Sequence, residues 1–206
     1  MKVGSKMKVA IVNCFHWVGY HLVEEMLEEG VEVIGIHESN TKQSEFLSMF
    51  VHRNSLFTET DMIPENVDYT VVIGHTAIDS TRLFTIQLIE ENIKTSDMSL
   101  HDVTIEIPLL YGEWMPMDEK GIFVQNKYIS FTSNIFMEKG VYVQDYIKDF
   151  LDVIHAKIAS SSDEKSVIVE ELILENDSYF RDNSTKRKII EQLQKEYRRN
   201  RLYYEE

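Results

Sequence analysis

The residues with the clearest potential for chemistry lie in a turn that follows the first apolar run of the sequence. The run from residue 8 to residue 12 is rich in β-branched residues, and residues 13–17 separate it from an amphipathic stretch that begins at residue 18. A turn between a strand and a helix can hold a phosphate group, because the backbone N–H groups of the first helical turn point toward it. The candidate ligand contacts in this turn are Asn13, His16, Trp17, Val18 and Gly19.

The elements around this turn form a recognisable unit. Apolar residues at helical spacing occupy one face of residues 18–29, and four glutamates occupy the other. Gly30 stands where a helix C-terminal cap belongs, and a second β-branched run covers residues 31–36. The pattern predicts a strand, a turn, a helix and a second strand, which is the unit from which parallel sheets with right-handed crossovers are built.

Residues 12–22 resemble the start of the extended short-chain dehydrogenase/reductase family, which includes nucleotide-sugar epimerases and dehydratases. The family's turn is G-x-x-G-x-x-G followed by a small residue, His and Leu, and Gly19, His21 and Leu22 match it. The segment ending in Tyr111-Gly112 is similar to a later strand and loop of the family, where its substrate pocket begins. The resemblance implies an α/β fold, a Rossmann-like doubly wound parallel sheet that is truncated and carries a small C-terminal appendage.

The resemblance also implies where a dinucleotide would bind. Asn13 and His16 stand where the family has its first two glycines. Asn tolerates a left-handed backbone, so we expect the turn to be kept, whereas the His16 imidazole would occupy the space that the pyrophosphate needs. Glu38, or His37 beside it, stands after the second strand where the family has its acidic ribose contact, and His75 follows the strand 69–73 that packs beside the cofactor. We therefore expect no bound cofactor, with NAD or NADP as the alternative.

The catalytic pair of the resembled family is missing from the sequence. The family uses a Tyr with a Lys four residues later, one helical turn away, for acid–base chemistry. No Tyr of this chain has a Lys at that spacing. In the family a further strand and the catalytic helix lie between the strands that correspond to residues 69–73 and 102–107. Here the broadly apolar stretch Ser80–Lys94 predicts one helix, so we expect a deletion. We assign no catalytic residue and no metal ligand, since no other catalytic motif or ligand spacing is present.

The composition limits the classes of function. The 206 residues are 43% apolar and 27% charged, with a net charge of −14 and a single cysteine. These values are typical of a globular protein without a disulfide framework, and they argue against general nucleic-acid or anionic-membrane binding. No apolar run is long enough to cross a bilayer, so the cytoplasm is the expected location. We predict a flexible leader over residues 1–6, a Rossmann-like domain over residues 7–170, and a basic helical tail over residues 171–206.

Three functions remain open from the sequence. The first is a non-catalytic binding or regulatory protein that kept the scaffold and lost the Tyr/Lys pair. The second is an active NAD(P)-dependent epimerase, dehydratase or reductase with an atypical site near His16, His75 and Tyr111. The third is a partner subunit that docks through the predicted 80–94 helix or through the C-terminal helix at residues 184–201.

Overall fold

The centre of the fold is a parallel sheet of six strands in the order β3-β2-β1-β4-β5-β6. The computed structural model describes residues 6–37, 41–74, 85–90, 103–125, 127–160 and 181–204. The sheet strands are β1 Lys8–Val12, β2 Glu32–Ile36, β3 Phe57–Glu59, β4 Tyr69–Ile73, β5 Thr85–Glu90 and β6 Val103–Ile107. Every neighbouring pair in the sheet is parallel. This strand order confirms the predicted α/β, Rossmann-like doubly wound fold.

The first helix is placed by local signals that the sequence carries. Helix α1 covers Trp17–Glu28, with its apolar face buried against the sheet. Gly30 follows it in a left-handed conformation with φ 80°. The N–H groups of Gly30 and Val31 donate to the carbonyls of Leu27 and Met26, which closes the last turn. The predicted C-terminal glycine cap is therefore confirmed, and it directs the chain into β2.

The predicted helix over Ser80–Lys94 is wrong for the described residues 85–90, which form the strand β5 between β4 and β6. Residues Thr85 to Ile89 are all buried. A strand that is covered on both faces has a nearly continuous apolar sequence, and periodicity alone does not separate it from a buried helix. Because residues 85–90 form a strand, they cannot provide the helical docking surface that was expected there.

The same strand corrects the prediction that a strand is deleted after β4. The strand β5 lies in sequence between β4 and β6, at the place where the resembled family has its additional strand. Residues 91–102, which follow β5, contain no Tyr, so the sequence of this connection offers no Tyr/Lys pair. What the chain lacks relative to the family is the catalytic pair rather than the strand.

The remaining described elements lie outside the six-stranded sheet. They are β7 Leu110–Tyr111, β8 Gly121–Val124, β9 Lys127–Ser130, α3 Asn134–Lys139, β10 Val141–Tyr142, α4 Val143–Ser160 and α5 Asn183–Asn200, with α2 Lys42–Val51 earlier in the chain and a 3₁₀ turn at Arg201–Tyr203. Strands β8 and β9 form an antiparallel hairpin, and β7 pairs with β10 in parallel. Ile190, Leu193 and Tyr197 of α5 belong to the same buried cluster as the sheet residues. The predicted domain boundary at residue 170 falls outside the described residues, as does most of the predicted leader.

The topology determines where a ligand site can form. In β1, alternate side chains enter two apolar clusters, with Val9 and Ile11 in one and Ala10 and Val12 in the other, so both faces of this strand are covered. The strand order reverses between β1 and β4, and ligands of such sheets bind at the carboxyl ends of strands around this point. No helix within the described ranges has the length and apolar character needed to cross a membrane.

Candidate functional site

The turn after β1 keeps the backbone path of a Rossmann turn without its first glycine. Asn13 is left-handed, with φ 59°, as its residue type predicts. Its side-chain amide donates a 2.7 Å hydrogen bond to the carbonyl of Ile73 at the end of β4. The N–H of His16 donates to the carbonyl of Asn13 at 2.9 Å and closes the turn. Asn13 therefore joins the two strands at which the sheet order reverses.

Gly19 fulfils the packing role of the last glycine in the motif. A Cβ atom at Gly19 would lie 2.4 Å from the carbonyl oxygen of Asn13 and 3.2 Å from backbone atoms of Cys14. These contacts are to backbone, which cannot rotate away. The glycine thus lets α1 pack directly on the turn, and its neighbours Trp17 and Val18 are buried with it.

His16 lies at the start of α1 and is solvent-exposed. Its side chain makes no capping hydrogen bond to the helix. The surrounding protein atoms and the nearby His37 both lower the pKa of the imidazole. The ring is therefore neutral at pH 7 in the ligand-free chain.

An aromatic cluster that sequence reasoning missed lies between the turn and the end of β2. Phe15 is 4% exposed, and its ring centroid lies 5.3 Å from that of His37, 6.0 Å from that of Phe57 and 6.1 Å from that of His52. In Rossmann folds the ribose of the adenosine half binds near the end of the second strand. The large residue at the third position of the turn, Phe15, is the signal of this cluster in the sequence. Its partners are distant in the chain, so the cluster could not be predicted from that signal alone.

The other two predicted contacts, Glu38 and His75, lie outside the described residues. The structure therefore brings together Asn13, His16, Trp17, Val18 and Gly19 from the predicted set. Within the described ranges, no group of three or more His, Cys, Asp or Glu side chains is arranged to hold a metal ion.

A second polar cluster surrounds His21, which is only 4% exposed. Its Nε2 lies 3.0 Å from the backbone carbonyl of Glu113, and its Nδ1 lies 3.7 Å from a carboxylate oxygen of Glu24. The Tyr20 hydroxyl donates a 2.6 Å hydrogen bond to Glu24. Burial lowers the pKa of His21 to about 4, so the imidazole is neutral and its Nε2–H donates to the carbonyl. The cluster connects α1 to the loop after β7.

Tyr111 is placed in the core rather than at an open site. Its side chain is fully buried against Phe136 and Tyr142, and no hydrogen-bond partner for its hydroxyl lies in the described part of the chain. Burial raises the pKa of the phenol. A catalytic tyrosine of the resembled type needs a lowered pKa and access to substrate, so this environment disfavours Tyr111 in that role.

A pocket of about 180 Å³ lies beside the carboxyl end of β6. Its walls come from the start of α1, the segment after β6, the β8–β9 hairpin and α3. Trp17 is the residue that it shares with the predicted site, and the Trp17 ring meets His21 edge-on at 6.5 Å. The pocket thus adjoins the start of α1 through Trp17.

The C-terminal helix predicted at residues 184–201 is present as α5, and one of its cations is buried. The side chain of Lys186 is 1% exposed, and its ammonium donates a 2.7 Å hydrogen bond to the Met137 carbonyl near the end of α3. Exposed cations remain on the helix at Arg187, Lys188, Lys195, Arg198 and Arg199. Docking of an acidic partner on this helix stays a prediction.

Comparison with known proteins gives structural similarities at low sequence identity. No protein-family model matches this chain, and no curated protein matches it. The structure is similar to yeast methylglyoxal/isovaleraldehyde reductase Gre2 complexed with NADPH, with 12% identity and a TM-score of 0.31 over 41% of this chain and 37% of that chain.

Two further solved structures are similar to this chain. Gre2 in complex with NADPH from Candida albicans has 9% identity and a TM-score of 0.42, over 74% of this chain and 75% of that chain. SirC, a precorrin-2 dehydrogenase, has 13% identity and a TM-score of 0.30, over 95% of this chain and 98% of that chain. At these scores the similarities assign neither an activity nor a ligand to this chain. The fold assignment depends on the order and direction of the strands.

Proposed function

We propose that this chain is a non-catalytic Rossmann-fold protein that acts by binding or regulation and does not use a dinucleotide as short-chain dehydrogenases do. The observation that carries the proposal is the aromatic cluster of Phe15 with His37, Phe57 and His52. It fills the region beside the end of β2 where the adenosine half of a dinucleotide binds in this fold. A ligand that entered there would have to displace a buried ring.

The pyrophosphate position supports the same proposal. A glycine at the second position of the motif lets a phosphate approach the helix start, whereas this chain has the neutral ring of His16. The sequence also contains no Tyr/Lys pair at helical spacing. Phe15 and His16 thus oppose dinucleotide binding, and the absence of a Tyr/Lys pair opposes catalysis.

The competing hypothesis is an active NAD(P)-dependent enzyme with an atypical site. Two features favour it, since Asn13 keeps the left-handed turn and Gly19 keeps the close contact between helix and turn. Both features are also needed simply to fold the first β–α–β unit, so they do not discriminate between the two functions.

The deciding experiment is a calorimetric and thermal-shift titration with NAD⁺, NADH, NADP⁺ and NADPH. We expect no saturable heat and no stabilisation at roughly millimolar ligand. A bound dinucleotide at 100 times its dissociation constant would instead raise the free energy of unfolding by about 2.7 kcal/mol, and that result would overturn the proposal. ADP-ribose, titrated in parallel, separates the adenosine half from the nicotinamide half.

A double variant tests whether Phe15 and His16 block the dinucleotide site. Phe15→Ala with His16→Gly removes both rings, and we expect it to gain affinity for ADP-ribose relative to the natural sequence. Phe50→Ala is the matched control, because Phe50 is an exposed aromatic residue whose ring packs on Phe46 of the same helix. Circular dichroism checks that each variant is folded. If the double variant gains no affinity, the aromatic cluster is not what excludes the ligand.

A further inference from the structure

The pocket beside β6 combines an apolar interior with positive charge at its exposed side. Trp17 and Ile107 line it from the core, and Leu109 and Ile129 add further apolar wall. Lys127 on β9 and Lys139 at the end of α3 line the same pocket, and both side chains are solvent-exposed. The pocket is therefore amphipathic.

The charges of the two lysines that line the pocket are not paired with carboxylates of the described residues. Lys8 and Lys148 of the described residues pair with Glu32 and Glu25, and Arg181 pairs with Asp145. Neither Lys127 nor Lys139 has an ion pair with a carboxylate among residues 103–125, 127–160 or the other described segments. Two ammonium groups therefore line the pocket without a paired carboxylate in the described part of the chain, and they favour an anion over a cation there.

The volume limits the size of what can enter. The pocket measures about 180 Å³. An engineered apolar cavity of about 150 Å³ holds one benzene molecule, so this pocket has room for a single ring or a short branched chain together with part of a polar group. It is far smaller than the space that a dinucleotide occupies.

We infer that this pocket binds a small organic anion, whose apolar body is about the size of one aromatic ring and whose charged group faces Lys127 and Lys139. The ring packs against Trp17 and Ile107, where burial of apolar surface supplies the affinity. The ammonium groups supply the selectivity, since an anion gains a charge–charge attraction that a neutral molecule of the same shape lacks. This goes beyond the proposed function, because the pocket is separate from the aromatic cluster around Phe15.

The test compares an anion with a neutral molecule of matched shape. Phenylacetate and phenylacetamide are titrated into the full chain and followed by two-dimensional ¹⁵N NMR. The chain has two tryptophans and therefore two indole N–H signals, and Trp17→Phe identifies the one from the pocket. We expect phenylacetate to shift the Trp17 signal saturably, with a dissociation constant on the order of 1 mM for a ligand of about ten heavy atoms. Phenylacetamide should bind several-fold more weakly.

Charge variants then test the role of the lysines. Lys127→Gln combined with Lys139→Gln should weaken phenylacetate binding several-fold, to about the level of phenylacetamide, and should change phenylacetamide binding much less. Lys120→Gln is the matched control, because Lys120 is an exposed lysine just before the same hairpin and does not line the pocket. A second pair, Ile135→Glu against Ile135→Gln, alters an exposed residue of the pocket wall, and only the glutamate should repel the anion.

Three results would overturn the inference. They are a Trp17 signal that stays unmoved at about 20 mM phenylacetate, equal binding of the acid and the amide, and full affinity in the double lysine variant. A parallel titration with phenyl phosphate decides whether a carboxylate or a phosphate head group is preferred. Dinucleotide binding is read separately by calorimetry, so failure of this inference and failure of the proposed function are distinguishable.

Discussion

The backbone N–H of Trp114 donates a 3.1 Å hydrogen bond to the hydroxyl of Tyr204, which lies 90 residues later in the chain. The two rings also stack, with centroids 5.4 Å apart and an angle of 21° between their planes. The adjacent Tyr203 stacks on Phe46 of α2 at 4.0 Å, and the Gln43 side chain donates to the Trp114 carbonyl. The 3₁₀ turn after α5 is thereby attached to α2 and to the loop after β7.

Loss of the Tyr204 hydroxyl should therefore destabilise the fold. Tyr204→Phe removes the acceptor of the Trp114 N–H and should lower the free energy of unfolding by about 1 kcal/mol. Tyr204→Ala also removes the stacked ring and should cost about 2–4 kcal/mol. Urea denaturation measures both values. Leu202→Ala, at an exposed neighbour, should change stability by less than about 0.5 kcal/mol. Equal stability of Tyr204→Ala and Leu202→Ala would contradict the attachment.

The ion pair of Arg181 and Asp145 should stabilise the fold through its geometry as well as through its charge. Arg181 donates from Nε and Nη2 to the two carboxylate oxygens at 2.5 and 2.6 Å, and its guanidinium lies 5.0 Å from the Tyr142 ring. Because both side chains are about one-third exposed, a double-mutant cycle with Arg181→Met and Asp145→Asn should give a coupling of only about 1 kcal/mol.

A lysine cannot replace this arginine, since it lacks the planar fork and stacks less well. Arg181→Lys should therefore lose most of the coupling, although it keeps the charge. Repeating the cycle at about 1 M salt should reduce the coupling only partly, because two short hydrogen bonds remain. A lysine variant as stable as the natural sequence would show that charge alone matters.

The stability of the fold should fall in mild acid because of His21. Its folded pKa of about 4 lies below the ordinary value of 6.5, so the folded state favours the neutral ring. This contribution is complete above pH 6.5 and is lost as the pH falls toward 4, by an amount of up to about 3 kcal/mol. Urea unfolding at several pH values measures the slope, and His21→Gln, which keeps a donor for the Glu113 carbonyl, should flatten it.

The nearby carboxyl groups of Glu24 and Glu113 change the stability of the fold with pH in the direction opposite to His21. Burial raises the pKa values of Glu24 and Glu113, so the folded state favours their protonated forms. Their contributions are lost as the pH rises through the raised pKa values and are gained in acid. Glu113→Gln is therefore the companion variant, and it should steepen the acid-induced loss that His21 causes. If this variant shows a shallower profile than the natural sequence, the assignment to His21 is wrong.

Gly19 should tolerate no side chain. Gly19→Ala would force a Cβ to within 2.4 Å of the Asn13 carbonyl, and we expect a cost of about 2–3 kcal/mol or a displaced α1. Gly30→Asn is the control at a second glycine. No atom lies within 4 Å of the position that a Cβ would take at Gly30, and Asn accepts its left-handed backbone, so the cost there should be below about 1 kcal/mol. Similar costs at the two positions would contradict the packing argument.

The sequence predicts the first half of the fold well, because β1, α1 and β2 carry their signals locally. Gly30 ends α1 where the motif places it, and Asn13 adopts the backbone that its residue type allows. The strand β5 could not be separated from a helix, since burial on both faces removes the alternation that identifies a strand.

The sequence predicts where the candidate site lies in the fold. It does not predict which distant side chains pack there. Spacing from the end of β1 places Asn13 and His16 in the turn. The burial of Phe15 depends on Phe57, which is brought beside it by the pairing of β2 with β3. The contact of Arg181 with Asp145 joins residues 36 positions apart and has no local pattern. Contacts of this kind arise from the tertiary arrangement, which no short window of sequence contains.

The reactivity of Cys14 with a thiol reagent reports how often the structure around it opens. Cys14 is the single cysteine of the chain, it is fully buried after β1, and a Cβ at Gly35 of β2 would lie 2.9 Å from its sulfur. Burial raises the pKa of its thiol, so the folded protein offers a thiol reagent almost no thiolate. Modification of Cys14 therefore requires an excursion of the turn away from β2. With a reagent that reacts more slowly than the turn closes, the labelling rate measures the free energy of that excursion. The dependence of the rate on urea tells whether the turn opens alone or with the whole sheet.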